Sequence, residues 1–224
     1  LQHLDLMARK LGRKPRVIFA STATIYGLPD TIVTSEDDNI DPITEYDLHK
    51  VFAEQQLNMS TRNGVLGGVS LRLANVYGVS SSESSLCDRG IFNKITKTAF
   101  QGKDIIVYGD GNYVRDYVYI DDVVSAFLCA AVAKNIEGEL FNIATGVGHT
   151  LKEAFSLVAD RVSDITKKKV NINEIPWPEG VNPIEKRNFV ASIDKFKKFT
   201  GWEPTINLDE GIYRLVSFYM KNHA

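Results

Sequence analysis

Tyr46 and Lys50 stand at i and i+4 in the stretch YDLHK. On a helix that spacing puts a phenol and an ammonium on one face. A cation beside a phenol favours the phenolate and lowers a pKa that starts at about 10. A phenol tuned in this way exchanges a proton with a substrate hydroxyl close to neutral pH. Upstream, the apolar run Val17-Ile18-Phe19-Ala20 leads into the hydroxyl-bearing stretch STATIYG at 21–27. A plain turn draws on Asn, Asp, Gly or Pro instead. Thr22, at the C-terminal end of the expected strand, reads as a hydrogen-bond donor to the same substrate oxygen, because ligands of open α/β sheets bind at that edge. Of the 9 tyrosines, Tyr46 is the only one followed by Lys at i+4. Spacing alone also suits a solvated lysine beside a half-buried tyrosine, so the surrounding elements decide its weight.

Those elements alternate. Residues 16–21 read as a buried parallel strand, 44–62 as a helix stopped by Asn63-Gly64, and 68–78 as a second strand. A polar, serine-rich stretch at 80–85 is expected to be mobile. A helix over 90–100, a strand at 105–107, the turn YGDGNY and an extended 117–120 follow. Asp121 is the expected cap of a small-residue helix over 123–133. A strand at 140–143 precedes a helix over 150–165, where Thr150 and Glu153 form a capping-box pattern. A strand-like VNINEI, a Pro-rich loop and two helices close the chain. This order predicts an α/β fold with a largely parallel sheet. The opening residues read as an amphipathic helix, with Leu1, Leu4 and Leu11 at near-helical spacing and Gly12 as its stop. No initiating methionine and no earlier strand stand before it, so the expectation is a piece of a longer protein.

Composition narrows the classes. The 224 residues are 44% hydrophobic and 24% charged, as in an ordinary globular protein, with a net charge of −2. Such a balance supplies no bulk field for nucleic acid or an anionic membrane. Cys87 and Cys129 are isolated, with no CxxC or Cys/His cluster. That points to a reducing compartment, read as the cytoplasm, and away from structural zinc or any other metal site. No apolar stretch approaches the roughly 20 residues of a membrane span.

At this point the sequence resembles the extended short-chain dehydrogenase/reductases. The carriers are STATIYG (21–27), Tyr46 with Lys50, and LRLANVYG (71–78). RDYVYIDDVV (115–124), FNIATG (141–146) and TGWEPTINLDEGI (200–212) match later segments of the same family, so the resemblance covers essentially the whole chain. It is strongest to UDP-hexose 4-epimerases within the NAD-dependent epimerase/dehydratases. The resemblance implies an incomplete Rossmann-type parallel sheet (1–78 and 117–147) and a smaller α/β substrate-binding domain (79–116 and 148–224). It further implies NAD as cofactor, a nucleoside-diphosphate sugar as substrate and a homodimer. Tyr46 is then the acid/base, Lys50 holds the nicotinamide ribose, and Thr22 meets the reacting sugar oxygen. Arg115 matches a diphosphate-binding arginine and Asn75 the asparagine facing the diphosphate. Tyr108 falls where the base packs, and Arg187 is a second phosphate-side arginine. A salt bridge with Asp116 is the alternative for Arg115, a surface ion pair for Arg187 and a turn role for Asn75. Tyr26 reads as packing, and His49 as a solvated helix position.

The resemblance also separates activities. Dehydratases of the family carry carboxylates directly after the threonine, where this chain has Ala23 and Thr24; the glutamate of the decarboxylases is absent too. Epimerisation through a transient keto sugar is therefore expected, ahead of keto-sugar reduction or a non-catalytic nucleotide-sugar-binding module. Relatives carry small residues around YxxxK where this chain has Asp47, Leu48 and His49, and Ser192 stands where they usually have Asp. The family's glycine-rich pyrophosphate turn occurs nowhere in the 224 residues. Weak NAD binding and no turnover are expected of this chain alone.

Overall fold

Thr44 and Thr150 each start a helix in the same way. The Thr44 hydroxyl accepts from the Asp47 backbone N–H while the Asp47 carboxylate takes the Thr44 N–H, and α2 (Glu45–Arg62) runs from there. Thr150 and Glu153 repeat the device at the start of α5 (Leu151–Thr166). Each capping box satisfies two backbone donors that a helix start leaves bare. The computed structural model describes residues 1–79 and 90–223. The serine-rich stretch expected to be mobile, and Cys87, lie outside them.

The apolar run after Pro15 forms β1 (Arg16–Thr22), the edge of a parallel three-stranded sheet in the order β1, β3 (Gly67–Leu73), β7 (Leu140–Ile143). Thr22 is in register with Leu73, so the strand ends that bear the candidate residues lie side by side. The helix α2 packs on β1 and β3. The single strand expected over 68–78 is in fact two. Ala74 breaks it, giving its N–H to Ile143 at 3.0 Å, and β4 (Asn75–Tyr77) leaves to pair with β6 (Val114–Tyr119). The strand changes sheets, so its ladder cannot continue.

Between them lie α3 (Ile91–Phe100) and β5 (Ile105–Tyr108), which pairs with β9 (Ile172–Ile175). After β6 comes α4 (Ile120–Val132), whose expected cap is corrected. Tyr119 occupies the N-cap with no side-chain bond, and Asp121 lies in the first turn. The strand runs straight into the helix, leaving no loop for a capping side chain. Asp122 instead turns inward and accepts from Thr205 N and Oγ1 at 3.0 and 2.8 Å and from Ile206 N at 3.0 Å. That carboxylate ties the GWEPTI segment to α4.

Three very short strands escaped the sequence pattern. β2 (Val33–Thr34) pairs with β10 (Val190–Ala191), and β8 (Gly148–Thr150) runs antiparallel to β6. The chain closes with α6 (Asp194–Thr200) and α7 (Leu208–His223). At the other end, α1 (Gln2–Leu11) forms as expected and Gly12 ends it in the left-handed region. Its leucines do not face inward, however. Ala8 is its buried residue, while Leu4, Leu6, Met7 and Leu11 are exposed.

Candidate active site

Lys50 projects from α2 onto the edge strand. Its Nζ donates to the Ala20 carbonyl at 2.7 Å and lies 5.0 Å from the Phe19 ring centre and 5.5 Å from that of Tyr46. The ammonium is thereby fixed between β1 and the phenol, as the i, i+4 spacing required. Tyr46 is 56% exposed, so its ring opens outward at the sheet edge.

Thr22 closes β1 and caps a single 3-10 turn (Ala23–Tyr26). Its Oγ1 accepts from the Thr24 N–H at 3.3 Å and sits 2.9 Å from Thr24 Oγ1. The Thr24 hydroxyl donates to Asp47, which also accepts from Thr44 N and Oγ1 at 3.1 and 2.7 Å. The hydroxyl-bearing turn is therefore stapled to the start of the helix that carries Tyr46 and Lys50. Gly27 ends the turn at φ +63°, where a side chain would also run into the Asp41 carbonyl. Only glycine fits there.

Beneath this turn lies a buried polar chain. Tyr26 donates to Asn142 Oδ1 at 2.8 Å and accepts from Arg72 Nη1 at 2.9 Å, and Arg72 meets Glu54 through two bonds of 3.1 and 2.9 Å. Tyr26 does pack, with its ring 6.0 Å from Phe189, and its hydroxyl bridges the network as well. His49 is exposed on α2.

The second cluster surrounds a cavity of about 610 Å³ lined by Asn75, Phe92, Tyr108, Arg115, Phe155 and Trp177, among others. Three of the expected substrate residues thus share one cleft. Thr22, Tyr46, Lys50 and Arg187 do not line it. Arg115 and Asp116 do not pair with each other. Arg115 Nη1 donates to the Val114 carbonyl at 3.0 Å and to that of Arg187, and Nη2 donates to Glu185 O at 2.7 Å. Asp116 accepts from Thr145 N and Oγ1 at 2.8 and 2.6 Å and from Gly146 N at 2.9 Å, binding two distant motifs together. Burial raises its carboxyl pKa while those bonds oppose the shift.

Arg187 is not in a surface ion pair. It is 5% exposed, and its Nε and Nη1 find no hydrogen-bond partner among the described residues. Burial, and then the Arg115 charge, pull its pKa down to about 10, with Asp47 opposing. The buried Tyr117 hydroxyl is likewise unpartnered among the described residues, and both arginine charges bear on it. The unmet donors of Arg187 and Tyr117, beside the buried Arg115 guanidinium, have the chemistry to receive an anion. Asn75 gives its Nδ2 to the Asp116 carbonyl at 3.0 Å while lining the same cleft.

The sequence reading missed Trp177. Its ring stacks on Tyr108 at 5.3 Å and 23°, with Tyr113 edge-on at 5.9 Å. A tryptophan alone in a proline-rich loop was the available signal, since so large a ring must find an apolar surface.

Residues 3–144, well over half of the 224, match the NAD dependent epimerase/dehydratase family. The chain belongs to that family. As a whole it is 30% identical over 209 residues to a putative UDP-glucose 4-epimerase of Methanocaldococcus jannaschii, covering 93% of this chain and 64% of that protein. It is 32% identical over 204 residues to a dTDP-4-dehydro-6-deoxyglucose reductase of Escherichia coli, covering 90% of this chain and 60% of that one. The crystal structure of a UDP-glucose 4-epimerase from Thermotoga maritima with UDP-glucose superposes with a TM-score of 0.84 at 32% identity, over 98% of this chain and 68% of that chain. The chain thus spans under two thirds of the length of these two curated relatives. For an epimerase/dehydratase-family chain, the matched region contains Thr22, Tyr46, Lys50, Asn75, Tyr108 and Arg115, while Trp177 and Arg187 lie beyond it.

Proposed function

We propose that this chain carries the proton-transfer and sugar-nucleotide half of an NAD-dependent UDP-hexose 4-epimerase. The supporting observation is the placement of Lys50 between the Ala20 carbonyl and the Tyr46 ring, beside the Thr22 strand end. Tyr46 takes the proton of the sugar hydroxyl and returns it. Lys50 has two N–H donors beyond the one given to Ala20, which fit the vicinal hydroxyls of a ribose. Bound NAD supplies the hydride acceptor and, on return, the hydride. Arg115, Arg187 and Tyr117 hold the diphosphate, Asn75 borders it, and Tyr108 with Trp177 forms the wall for the base.

A two-part division fits this reading, with 1–78 and 117–147 on the cofactor side and 79–116 and 148–224 on the sugar-nucleotide side. The exposed Met7 and Leu11 of α1, with Phe52 and Met59 of α2, are proposed as a homodimer face in a cytoplasmic protein. Among the described residues no helix is long and apolar enough to cross a membrane.

The test is interconversion of UDP-glucose and UDP-galactose with added NAD+ by the product of the complete coding sequence and its Tyr46→Phe variant. Loss of about 10²–10⁴-fold is expected; equal rates remove Tyr46 from the chemistry, and no turnover by either protein leaves the binding-module reading. One-way consumption of a 4-keto sugar nucleotide with NADH, without epimerisation, selects the reductase instead. With no glycine-rich turn in its sequence, the 224-residue chain alone binds NAD+ weakly and turns over nothing. Micromolar affinity by isothermal titration overturns that.

A further inference from the structure

Residues 176–187 run from β9 towards β10 and supply one side of the cavity through Trp177, Pro178, Val181 and Glu185. Arg187 ends the segment, beside the cavity. Pro176, Pro178 and Pro183 have no N–H to donate. The segment bonds mainly to itself, in the 3-10 turn Pro183–Lys186. There Asn182 accepts from Ile184 N through Oδ1 and from Glu185 N through its carbonyl, both at 3.0 Å. Among the described residues, hydrogen bonds join 176–187 to another element at two points, the carbonyls of Glu185 and Arg187. Arg115 makes both. From Asn188 onward the chain is fastened to β6, by Val114 N to Asn188 Oδ1 at 2.8 Å and Phe189 N to Val114 O at 3.1 Å.

A guanidinium has five N–H donors in one plane. Arg115 gives three bonds to the carbonyls of Val114, Glu185 and Arg187, which leaves two donors for a ligand. A planar, charged fork of this kind is not reproduced by the point charge of a lysine. The hold extends beyond the turn. Lys186 Nζ lies 6.0 Å from the Trp177 ring centre, and Trp177 stacks on Tyr108.

We propose that Arg115 is a positioning residue as well as a diphosphate ligand: it latches the 176–187 segment against the cleft, and sugar-nucleotide affinity depends on that latch beyond the charge Arg115 itself supplies. One side chain thereby seats both the aromatic wall at Trp177 and the second arginine at Arg187. The proposal rests on the reading that the cleft takes a nucleoside diphosphate.

The experiment measures two quantities on the 224-residue chain and its variants. One is UDP affinity by calorimetric titration; the other is the rate of tryptic cleavage after Lys186, an exposed residue of the latched turn. Arg115→Lys keeps the positive charge and loses the fork. It is expected to weaken UDP binding about 10-fold and to speed cleavage after Lys186 about 10-fold. Asn182→Ala loosens the same turn from its exposed side with Arg115 intact, and should speed cleavage about 5-fold and weaken UDP binding about 3-fold. If Arg115→Lys weakens UDP binding while cleavage is unchanged, Arg115 acts only as a ligand and the latch is overturned. If Asn182→Ala speeds cleavage while UDP affinity is unchanged, the seating of the segment does not serve binding and the proposal fails. That second variant decides alone should Arg115→Lys lose its melting transition. If the wild type binds UDP no more tightly than uridine, the diphosphate reading fails. Faster cleavage of Arg115→Lys would then leave the latch standing, and unchanged cleavage would overturn both.

Discussion

The edge at Thr22, Tyr46 and Lys50 and the arginine pair Arg115 and Arg187 solve opposite problems. At the edge the hydroxyls, the carboxylate and the ammonium already have partners, and the Tyr46 phenol alone is left opening outward. Beside the cleft, Arg187 is buried within reach of the charge of Arg115, and two of its nitrogens have no hydrogen-bond partner among the described residues. The edge is stable as it stands. Arg187 is held against both burial and the charge of Arg115. Groups that do chemistry need a fixed starting geometry, whereas groups that bind gain selectivity when their donors are left unmet until the ligand arrives.

The contrast breaks most visibly at Tyr46. The Tyr46→Phe change should remove about 10²–10⁴-fold of the rate while leaving the affinity for UDP within about 2-fold. A large loss of UDP affinity would mean that the edge also binds. Arg187→Met, next in size, should cut UDP affinity about 10- to 100-fold and stabilise the unliganded protein by about 1–3 kcal/mol, because an uncompensated buried charge disappears. Calorimetric titration with UDP and thermal melting measure both; a lower melting temperature would show Arg187 to be structural. Trp177→Ala should weaken UDP binding by about 10-fold without altering the rate at saturating substrate. The smallest effect lies at the edge. Thr44→Ala removes one half of the capping box and should cost about 1 kcal/mol of stability in urea unfolding. It should leave UDP affinity unchanged.

The edge was legible in the sequence because its parts are local. The spacing of Tyr46 and Lys50, the helix start at Thr44 and the apolar run before Thr22 each act within a few residues, where helix and strand periods apply. Asp121 shows the limit of such reading. It has the right type and place for a cap, yet β6 runs directly into α4 and its neighbour Asp122 takes the structural role by reaching Thr205 and Ile206. The expected strand over 68–78 failed at Ala74 for the same reason, since nothing in its pattern records a change of pairing partner from β1 to β6. The leucines of α1 kept helical spacing but face outward, because one helix pattern does not say which face another element covers.

The sequence by itself determined the family, the order of strands and helices, and the residue types at the chemical edge, since these follow from short-range spacing. The tertiary structure alone decided that Arg187 is buried without an ion-pair partner, that Trp177 walls the cleft, and that Arg115 and Asp116 serve different masters. It also tied the Thr22 turn to an aspartate on the next helix. A hydrogen bond's direction and a charge's cost depend on which atoms surround it in space. Those atoms come from segments far apart in the chain, and only folding brings them together.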